Sequence, residues 1–292
     1  MESEVVLNPT PPSPPQEAAG GERALPTQAE LLQAFGDGDL SLQALFRFAF
    51  FPAGRLQHLR ELLPDEPWGE NHFALLRYLA VHVRLAIEQA RYEWNAQQLI
   101  VAAGRLSTAD GLPIYLGFVP NSSAQQENPW VLNWVGERPS CAAPPEPAAT
   151  GEWTPIDPGA EICVGVDLTA NDGRCALGPL ESVAPELRQP LVIGAVHWAV
   201  RRGLAERQLY HDARGHLVPL FLTQRADLSI PPDLVAPVTT HGERLLVRAV
   251  IEPQTAYPSA RAAVDRWESL PDWLAVAWED AVSERERTES SS

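Results

Sequence analysis

The 292-residue chain contains no lysine, and all 22 of its basic residues are arginine. Several mechanisms need a lysine side chain: the phosphate-binding lysine of P-loop sites, the Schiff base with pyridoxal phosphate, the adenylated nucleophile of ligases and the nucleotide-binding lysine of protein kinases. The sequence therefore excludes these mechanisms.

Cysteine and long apolar runs are also scarce. The three cysteines, Cys141, Cys163 and Cys175, form no Cys-x-x-Cys pair, so neither a disulfide framework nor a standard zinc knuckle is expected. No apolar run approaches the roughly 18–20 residues of a membrane span, and the first residues lack the pattern of a signal peptide. We expect a reduced, cytoplasmic protein with no membrane partner.

Acidic residues outnumber basic ones by 38 to 22, for a net charge of -16. Sequence-independent binding of nucleic acid depends on clustered bases that neutralise phosphates. Non-specific DNA binding is therefore not expected, although a local patch of arginines is compatible with this composition.

The two ends of the chain differ from its middle. Residues 1–27 are rich in proline, alanine and glycine, which predicts a disordered arm or, alternatively, a ligand for an aromatic groove of a partner. Thr27 and Glu30 have the spacing of a capping box, so ordered structure is expected to begin there. The sequence predicts a single domain over residues 28–282 and a disordered acidic tail over 283–292.

Hydrophobic periodicity predicts helices, then strands, then helices. The strongest helical pattern runs from Glu70 to Trp94, and an Asp110-Gly111 turn indicates a hairpin. Other helices are predicted over 54–63, 190–208, 258–270 and 271–282, and strands over 99–105, 113–120, 130–136, 162–166, 217–223, 235–239 and 244–251. This order indicates an α+β domain whose mostly antiparallel or mixed sheet is flanked by an N-terminal helical region and C-terminal helices.

No sequence repeat is recognised, and no glycine-rich dinucleotide motif follows a strand, so no cofactor is expected.

Charged residues form one stripe of the long predicted helix, and this stripe contains Glu70, Arg77, Arg84, Glu88 and Arg91. One interpretation is a solvated face with i,i+4 ion pairs such as Arg84–Glu88. The other is a row of arginines that binds a phosphate or carboxylate, with Glu88 orienting one guanidinium.

A second candidate is the polar stretch that precedes the apolar strand at 217, because loops that enter buried strands often carry binding sites. It contains Gln208, Tyr210 and His211. The alternative is an exposed turn with incidental polar residues. His211 and His216 have no third ligand nearby, so no metal site is predicted.

A third candidate combines Asp227, which follows the same strand, with Tyr257 and Arg261. Their i,i+4 spacing on a late helix places the phenol and the guanidinium side by side. The pair either braces neighbouring elements or binds an anion. His82 and His197 are expected in the core, and no Gly-x-Ser-x-Gly motif or activated cysteine indicates nucleophilic catalysis.

Residues 50–275 resemble the bacterial family called domain of unknown function 3825. The similar segments are Arg84-Leu85, Gly104, Asp110–Tyr115, Gln208–Tyr210, Gly215, Val218–Leu220, Asp227-Leu228, Ala256–Arg261 and Trp273-Leu274. The segment at 256–261 is similar to the family's Ala-Tyr-x-x-Ala-Arg pattern. Related domains occur near RNA-processing modules, so the resemblance implies a role linked to nucleic acid.

The chain departs from this family where an Asn-Thr-Gly-Leu turn is expected and Ala102-Ala103 precede Gly104. If that asparagine and threonine bind a ligand in relatives, the activity is altered or lost here.

The leading hypothesis is a binding module for an anionic ligand or partner, such as a nucleotide or an RNA end. Arg84 and Arg261 would supply bidentate contacts, and Tyr210 and Tyr257 stacking or hydroxyl donors. This hypothesis requires these side chains to meet in one hollow.

Two other functions stay open. One is a metal-dependent enzyme on a phosphate-containing substrate, with Asp227 or Glu88 as base or metal ligand and His211 as acid. The other is an interaction scaffold that uses an apolar strand edge or the proline-rich arm.

Overall fold

A computed structural model of the protein describes residues 25–36, 41–95, 98–122, 128–137, 145–169, 175–210, 213–223 and 227–289. Most of the predicted N-terminal arm lies outside these residues, as do Cys141 and His211.

The described residues contain seven α-helices and ten strands. The helices are α1 (Gln28–Phe35), α2 (Leu42–Phe48), α3 (Ala53–Leu62), α4 (Phe73–Glu88), α5 (Pro185–Val200), α6 (Pro253–Arg261) and α7 (Asp272–Glu289). The strands are β1 (Ala49–Phe50), β2 (Tyr92–Asn95), β3 (Gln98–Ser107), β4 (Pro113–Pro120), β5 (Trp130–Gly136), β6 (Glu161–Val164), β7 (Glu206–Tyr210), β8 (Ala213–Leu220), β9 (Leu234–His241) and β10 (Arg244–Val247). In this part of the chain, no helix is long and apolar enough to cross a membrane.

The strands form two mixed sheets of five strands. The first sheet has the order β1-β5-β4-β3-β2 and the second β6-β10-β9-β8-β7. Each sheet contains one parallel pair, β1 with β5 and β6 with β10, and its other pairs are antiparallel. The predicted α+β class with mixed sheet is therefore confirmed, although the strands are divided between two sheets.

Both sheets follow the same chain path. In each, a strand is followed by helical structure and a four-stranded antiparallel meander, whose last strand pairs in parallel with the first strand. The first copy of this path uses β1, α4 and β2 to β5, and the second uses β6, α5 and β7 to β10. The chain is thus repeated in topology, although its sequence shows no repeat.

The core is arranged in layers around α4 and α6. Helix α4 is buried along nearly its whole length and packs on β3 of the first sheet and on α6. Helix α6 also packs on β7. Leu209 of β7 and Leu217 of β8, both in the second sheet, belong to the same core. The opposite face of the second sheet contributes Val218 to a separate core with Val196 of α5. Alternation along β8 thus lets one strand serve both cores.

The long helix predicted from Glu70 to Trp94 is shorter in the structure. It begins at Phe73 and ends at Glu88, because Ala90 adopts a left-handed conformation (φ 53°) and the Arg91 amide donates to the carbonyl of Ala86. This arrangement is a common way to end a helix. The following residues form β2 instead.

Several other predicted boundaries change. Helix α5 begins at Pro185, so Pro190 lies inside the helix and not in its first turn, and α6 likewise begins at Pro253. Helix α7 continues to Glu289, so most of the predicted tail is helical.

Pro219 lies within β8, beyond the last residue that pairs with β7. Its partner Val235 exchanges backbone hydrogen bonds with Ile251 on the other side, so the nitrogen of Pro219 faces away from β9. The pairing with β7 ends at Glu206–Leu217. The missing N–H of Pro219 therefore breaks no ladder hydrogen bond.

Candidate functional site

Arg84 and Glu88 form the i,i+4 ion pair that their spacing predicts. Arg84 Nε donates to Glu88 Oε1 over 2.7 Å, and Arg84 Nη1 donates to the carbonyl of Gly36 over 2.8 Å. The guanidinium is largely buried and lies over the ring of Phe35. This arginine therefore fastens the end of α1 to α4.

Tyr257 and Arg261 meet at a carboxylate that the sequence analysis did not identify. Arg261 Nε and Nη2 donate to the two carboxylate oxygens of Glu66 over 2.7 and 3.2 Å, and the Tyr257 hydroxyl donates to Glu66 Oε1 over 3.0 Å. The guanidinium lies over the rings of Tyr78 and Trp68. Burial raises the pKa of the Glu66 carboxyl, and the charge of Arg261 opposes this effect.

The spacing thus correctly places the phenol and the guanidinium of α6 side by side, and both groups brace the fold. Glu66 is 195 residues from Arg261 in sequence and lies between two prolines, where a carboxylate is usually exposed. Nothing in the local pattern identifies it as the partner.

Gln208 and Tyr210 lie on strand β7 and not in the predicted loop. Gln208 is buried, and its Nε2 donates to the carbonyl of His216 over 3.2 Å while its Oε1 accepts from Ser259 Oγ. The side chain of Tyr210 lies outside the described residues. Asp227 is exposed, and its Oδ1 accepts from the amide and the hydroxyl of Ser229, as in an Asx turn.

The predicted site residues therefore contact different elements. Gln208, Tyr257 and Arg261 come together around α6, whereas Arg84, with Glu88 as its partner, contacts the end of α1. Asp227 lies in an exposed turn. We conclude that these residues do not form the single hollow that the leading hypothesis required.

The segment that contains Ala102, Ala103 and Gly104, where an Asn-Thr-Gly-Leu turn is expected, is part of strand β3. Gly104 has a φ of 60°, and a Cβ atom there would lie 2.6 Å from the Tyr78 hydroxyl oxygen. That oxygen accepts a hydrogen bond from the Arg105 amide. Ala102 and Ala103 are both buried, so this segment packs in the interior.

A different site is present between α2, α4, α6 and α7. It is a cleft of about 700 Å³ that contains hydroxyl, amide, aromatic and cationic side chains. Its lining residues are Ser41, Leu42, Gln43, Phe73, Arg77, Gln254, Thr255, Pro258, Ser259, Trp278 and Arg285.

Among the residues that the structure describes, two arginines and no acidic residue line this cleft, although the protein carries a net charge of -16. Arg77 comes from α4 and is largely buried, whereas Arg285 comes from α7 and is exposed. Charges of one sign in a concave site concentrate the local field and attract ligands of the opposite sign. The cleft is therefore suited to an anion.

Aromatic side chains fix one side of the cleft. Trp278 stacks on Tyr257 with ring centroids 4.9 Å apart, and its Nε1 donates to the carbonyl of Pro67. Phe73 lies at the start of α4 and is 44% exposed. Because the Tyr257 ring and the Pro67 carbonyl hold the indole in place, α6 and α7 form a rigid surface beside the more accessible ring of Phe73.

Arg77 lies on the charged stripe predicted for the long helix, but the leading hypothesis does not include it among the ligand-binding residues. Arg285 fell within the predicted tail. The spacing of Trp278, Val282 and Arg285 places them on one helix face, and this signal could have extended the last helix.

A smaller cavity of about 360 Å³ lies above the buried pair of Glu66 and Arg261. Its lining also includes Arg105 and Asp265, which form an ion pair of their own. Arg266 and Glu268 also line it, so its described lining has three arginines and three carboxylates, and this balance of charge offers little attraction to an anion.

The described part of the chain contains no group of three or more His, Cys, Asp or Glu residues that could hold a metal ion. Glu88 and Asp227, the residues of the enzyme hypothesis, have the separate partners given above.

Comparison with protein-family models, with curated proteins and with solved structures finds no match for this chain.

Proposed function

We propose that this protein is a binding module for a small anionic ligand of the nucleotide type, which it holds in the cleft between α2, α4, α6 and α7. The observation that carries the proposal is the lining of this cleft, whose described residues include two arginines from separate helices and no carboxylate. In a strongly acidic protein, such a surface favours an anion over a cation or a neutral molecule.

The chemistry of the lining supports a nucleotide within the class of anions. Guanidinium groups bind phosphate through paired, charge-assisted hydrogen bonds, so Arg77 and Arg285 would bind the phosphate. The hydroxyl of Thr255 and the amide of Gln254 suit a sugar or the edge of a base. The exposed ring of Phe73 suits the face of a base.

The size of the cleft agrees with this class of ligand, because sites for small molecules commonly enclose about 300–1,000 Å³. The resemblance to the family named above, with its implied link to nucleic acid, points to the same class. Membership of that family and a cytoplasmic location stay predictions.

The test is calorimetric titration of the purified protein with adenosine monophosphate and, separately, with inorganic phosphate. We expect both probes to bind, the nucleotide more tightly. Arg285→Gln should weaken both affinities about tenfold, since removal of a charge-assisted hydrogen bond typically costs about 1.5–3 kcal/mol.

Arg287→Gln is the matched control, because Arg287 is an exposed arginine of the same helix that does not line the cleft. It should leave both affinities unchanged. The proposal is wrong if neither probe binds at millimolar concentration, or if the two variants lose affinity equally.

A further inference from the structure

A second cavity, of about 390 Å³, adjoins the cleft. Its lining includes Arg60 of α3, His72 before α4, and Val282 and Arg285 of α7. Arg285 therefore lines both cavities.

Helix α7 arranges the two cavities one after the other. Trp278 lines only the first, Val282 only the second, and Arg285 both. These three residues lie on one face of the helix because of their i, i+4 and i+7 spacing. The rise from Trp278 to Arg285 is about 10 Å.

The contact between Trp278 and Gly69 lies between the two cavities. A Cβ atom at Gly69 would lie 2.7 Å from Trp278 Cζ2, so only glycine fits against the indole. Gly69 lines the second cavity and the indole lines the first. Arg285 is the described residue that lines both cavities, so we expect a ligand that reaches both to contact it.

The second cavity also carries positive charge. Among its described lining residues, Arg60 and Arg285 face one acid, Glu70, whose Oε1 accepts from the side chain of Asn71. Burial and the charge of Arg60 lower the pKa of His72, so this side chain is neutral at pH 7. Arg60 Nη2 lies 3.3 Å from Asp65 Oδ1, but Asp65 is fully exposed, and such pairs are weak because water screens them. Arg60 is thus able to turn to a bound anion.

The backbone at the rim of this cavity is unusual. Asn71 and His72 are consecutive non-glycine residues with left-handed conformations, φ 50° and 58°. Such residues are uncommon and often occur at binding sites, where the surrounding structure holds them in place. Here this backbone conformation fixes the position of His72 in the lining of the second cavity.

We propose that the ligand is a short nucleotide chain that crosses Arg285, with one phosphate in each cavity. This inference rests on the proposed function and specifies its ligand. Adjacent phosphates of a nucleoside triphosphate are joined by a single oxygen, which is too short a link for cavities spread over two helical turns. Phosphates separated by a sugar match this spacing better.

The experiment compares adenosine monophosphate, adenosine triphosphate and the 5′-phosphorylated dinucleotide of adenosine, in its RNA and DNA forms, by titration of the full chain. We expect at least one dinucleotide to bind about tenfold more tightly than the monophosphate. Arg60→Gln should remove most of this gain and leave monophosphate binding unchanged. Arg55→Gln, an exposed arginine of the same helix outside the lining, should change neither.

Each outcome of this titration supports or overturns the inference or the proposed function. A preference for RNA would assign contacts to the 2′-hydroxyl, and equal binding of both forms would assign recognition to the phosphates; both results support the inference. Monophosphate binding without a gain for either dinucleotide, or a triphosphate that binds more tightly than both, would overturn the inference and leave the proposed function intact. Failure of every nucleotide to bind would overturn both.

Discussion

Arg261→Met should be among the most destabilising single changes in this protein. The substitution keeps the length of the side chain but removes the guanidinium that pairs with both carboxylate oxygens of Glu66. The side chains of Arg261 and Glu66 are only 3% and 4% exposed, so water cannot replace the lost partner. Removing one partner of a buried ion pair typically costs about 3–5 kcal/mol of unfolding free energy.

An exposed pair with the same Nε–Oε distance provides the control. Arg244 Nε lies 2.7 Å from Glu161 Oε2, the same distance that joins Arg261 Nε to Glu66 Oε1, but these two side chains are 64% and 63% exposed. Exposed pairs contribute about 0–1 kcal/mol. Arg244→Met should therefore cost less than about 1 kcal/mol.

The double variant Glu66→Leu with Arg261→Met separates the charge from the packing. Removing both charges leaves no buried ion unpaired, although the Tyr257 hydroxyl loses its acceptor. We expect the double variant to recover about 2 kcal/mol or more relative to Arg261→Met alone.

Urea unfolding at pH 7, followed by circular dichroism, measures all of these free energies. A cost below about 1 kcal/mol for Arg261→Met, or a double variant less stable than the single one, would refute the reasoning.

Two further predictions concern the same region. His82 Nε2 is 3.1 Å from the carbonyl oxygen of Ala262, and burial lowers the pKa of the imidazole from 6.5 to about 4. Unfolding stability that is present above pH 6.5 should therefore be lost, by about 3 kcal/mol, as the pH falls towards 4. Urea unfolding at several pH values should show this slope, and His82→Gln should flatten it; an unchanged slope would contradict the assignment. Gly104→Ala should cost about 2–4 kcal/mol because the added Cβ clashes with Tyr78. Gly203→Ala, at a similar φ but with open space around the Cβ, should cost only about 1 kcal/mol, and equal costs would exclude the clash.

Local patterns predicted the regular parts of the fold well. The strands predicted at 113–120 and 130–136 coincide with β4 and β5, because turn residues and apolar alternation mark their ends. The helix predicted to end at Trp94 was wrong at its C-terminus. Ala90 and Trp94 continue the helical spacing of apolar residues, but β2 pairs with β3, and this pairing depends on residues outside the predicted helix.

The candidate site was harder to predict for a related reason. Arg84 and Arg77 lie seven residues apart on one helix and are equivalent in any periodic pattern. The structure distinguishes them by what packs against each: Gly36 accepts a hydrogen bond from Arg84, whereas Arg77 reaches the cleft beside Arg285. Such choices depend on contacts between elements distant in sequence, and a single sequence does not encode them locally.

Helix α6 connects the brace to the cleft. Tyr257 and Arg261 point from it to Glu66, whereas Thr255 and Ser259 lie at the cleft. Tyr257 also stacks on Trp278, which lines the same cleft. The tyrosine and the arginine of the segment at 256–261 that resembles a family pattern thus serve the proposed site without touching its ligand. Its buried side chains fix the position of the helix, and the neighbouring polar side chains of that helix form one side of the cleft. The buried ion pair is therefore a structural requirement of the proposed site, and a ligand that fills the cleft should in turn stabilise the packing of α6 against α7.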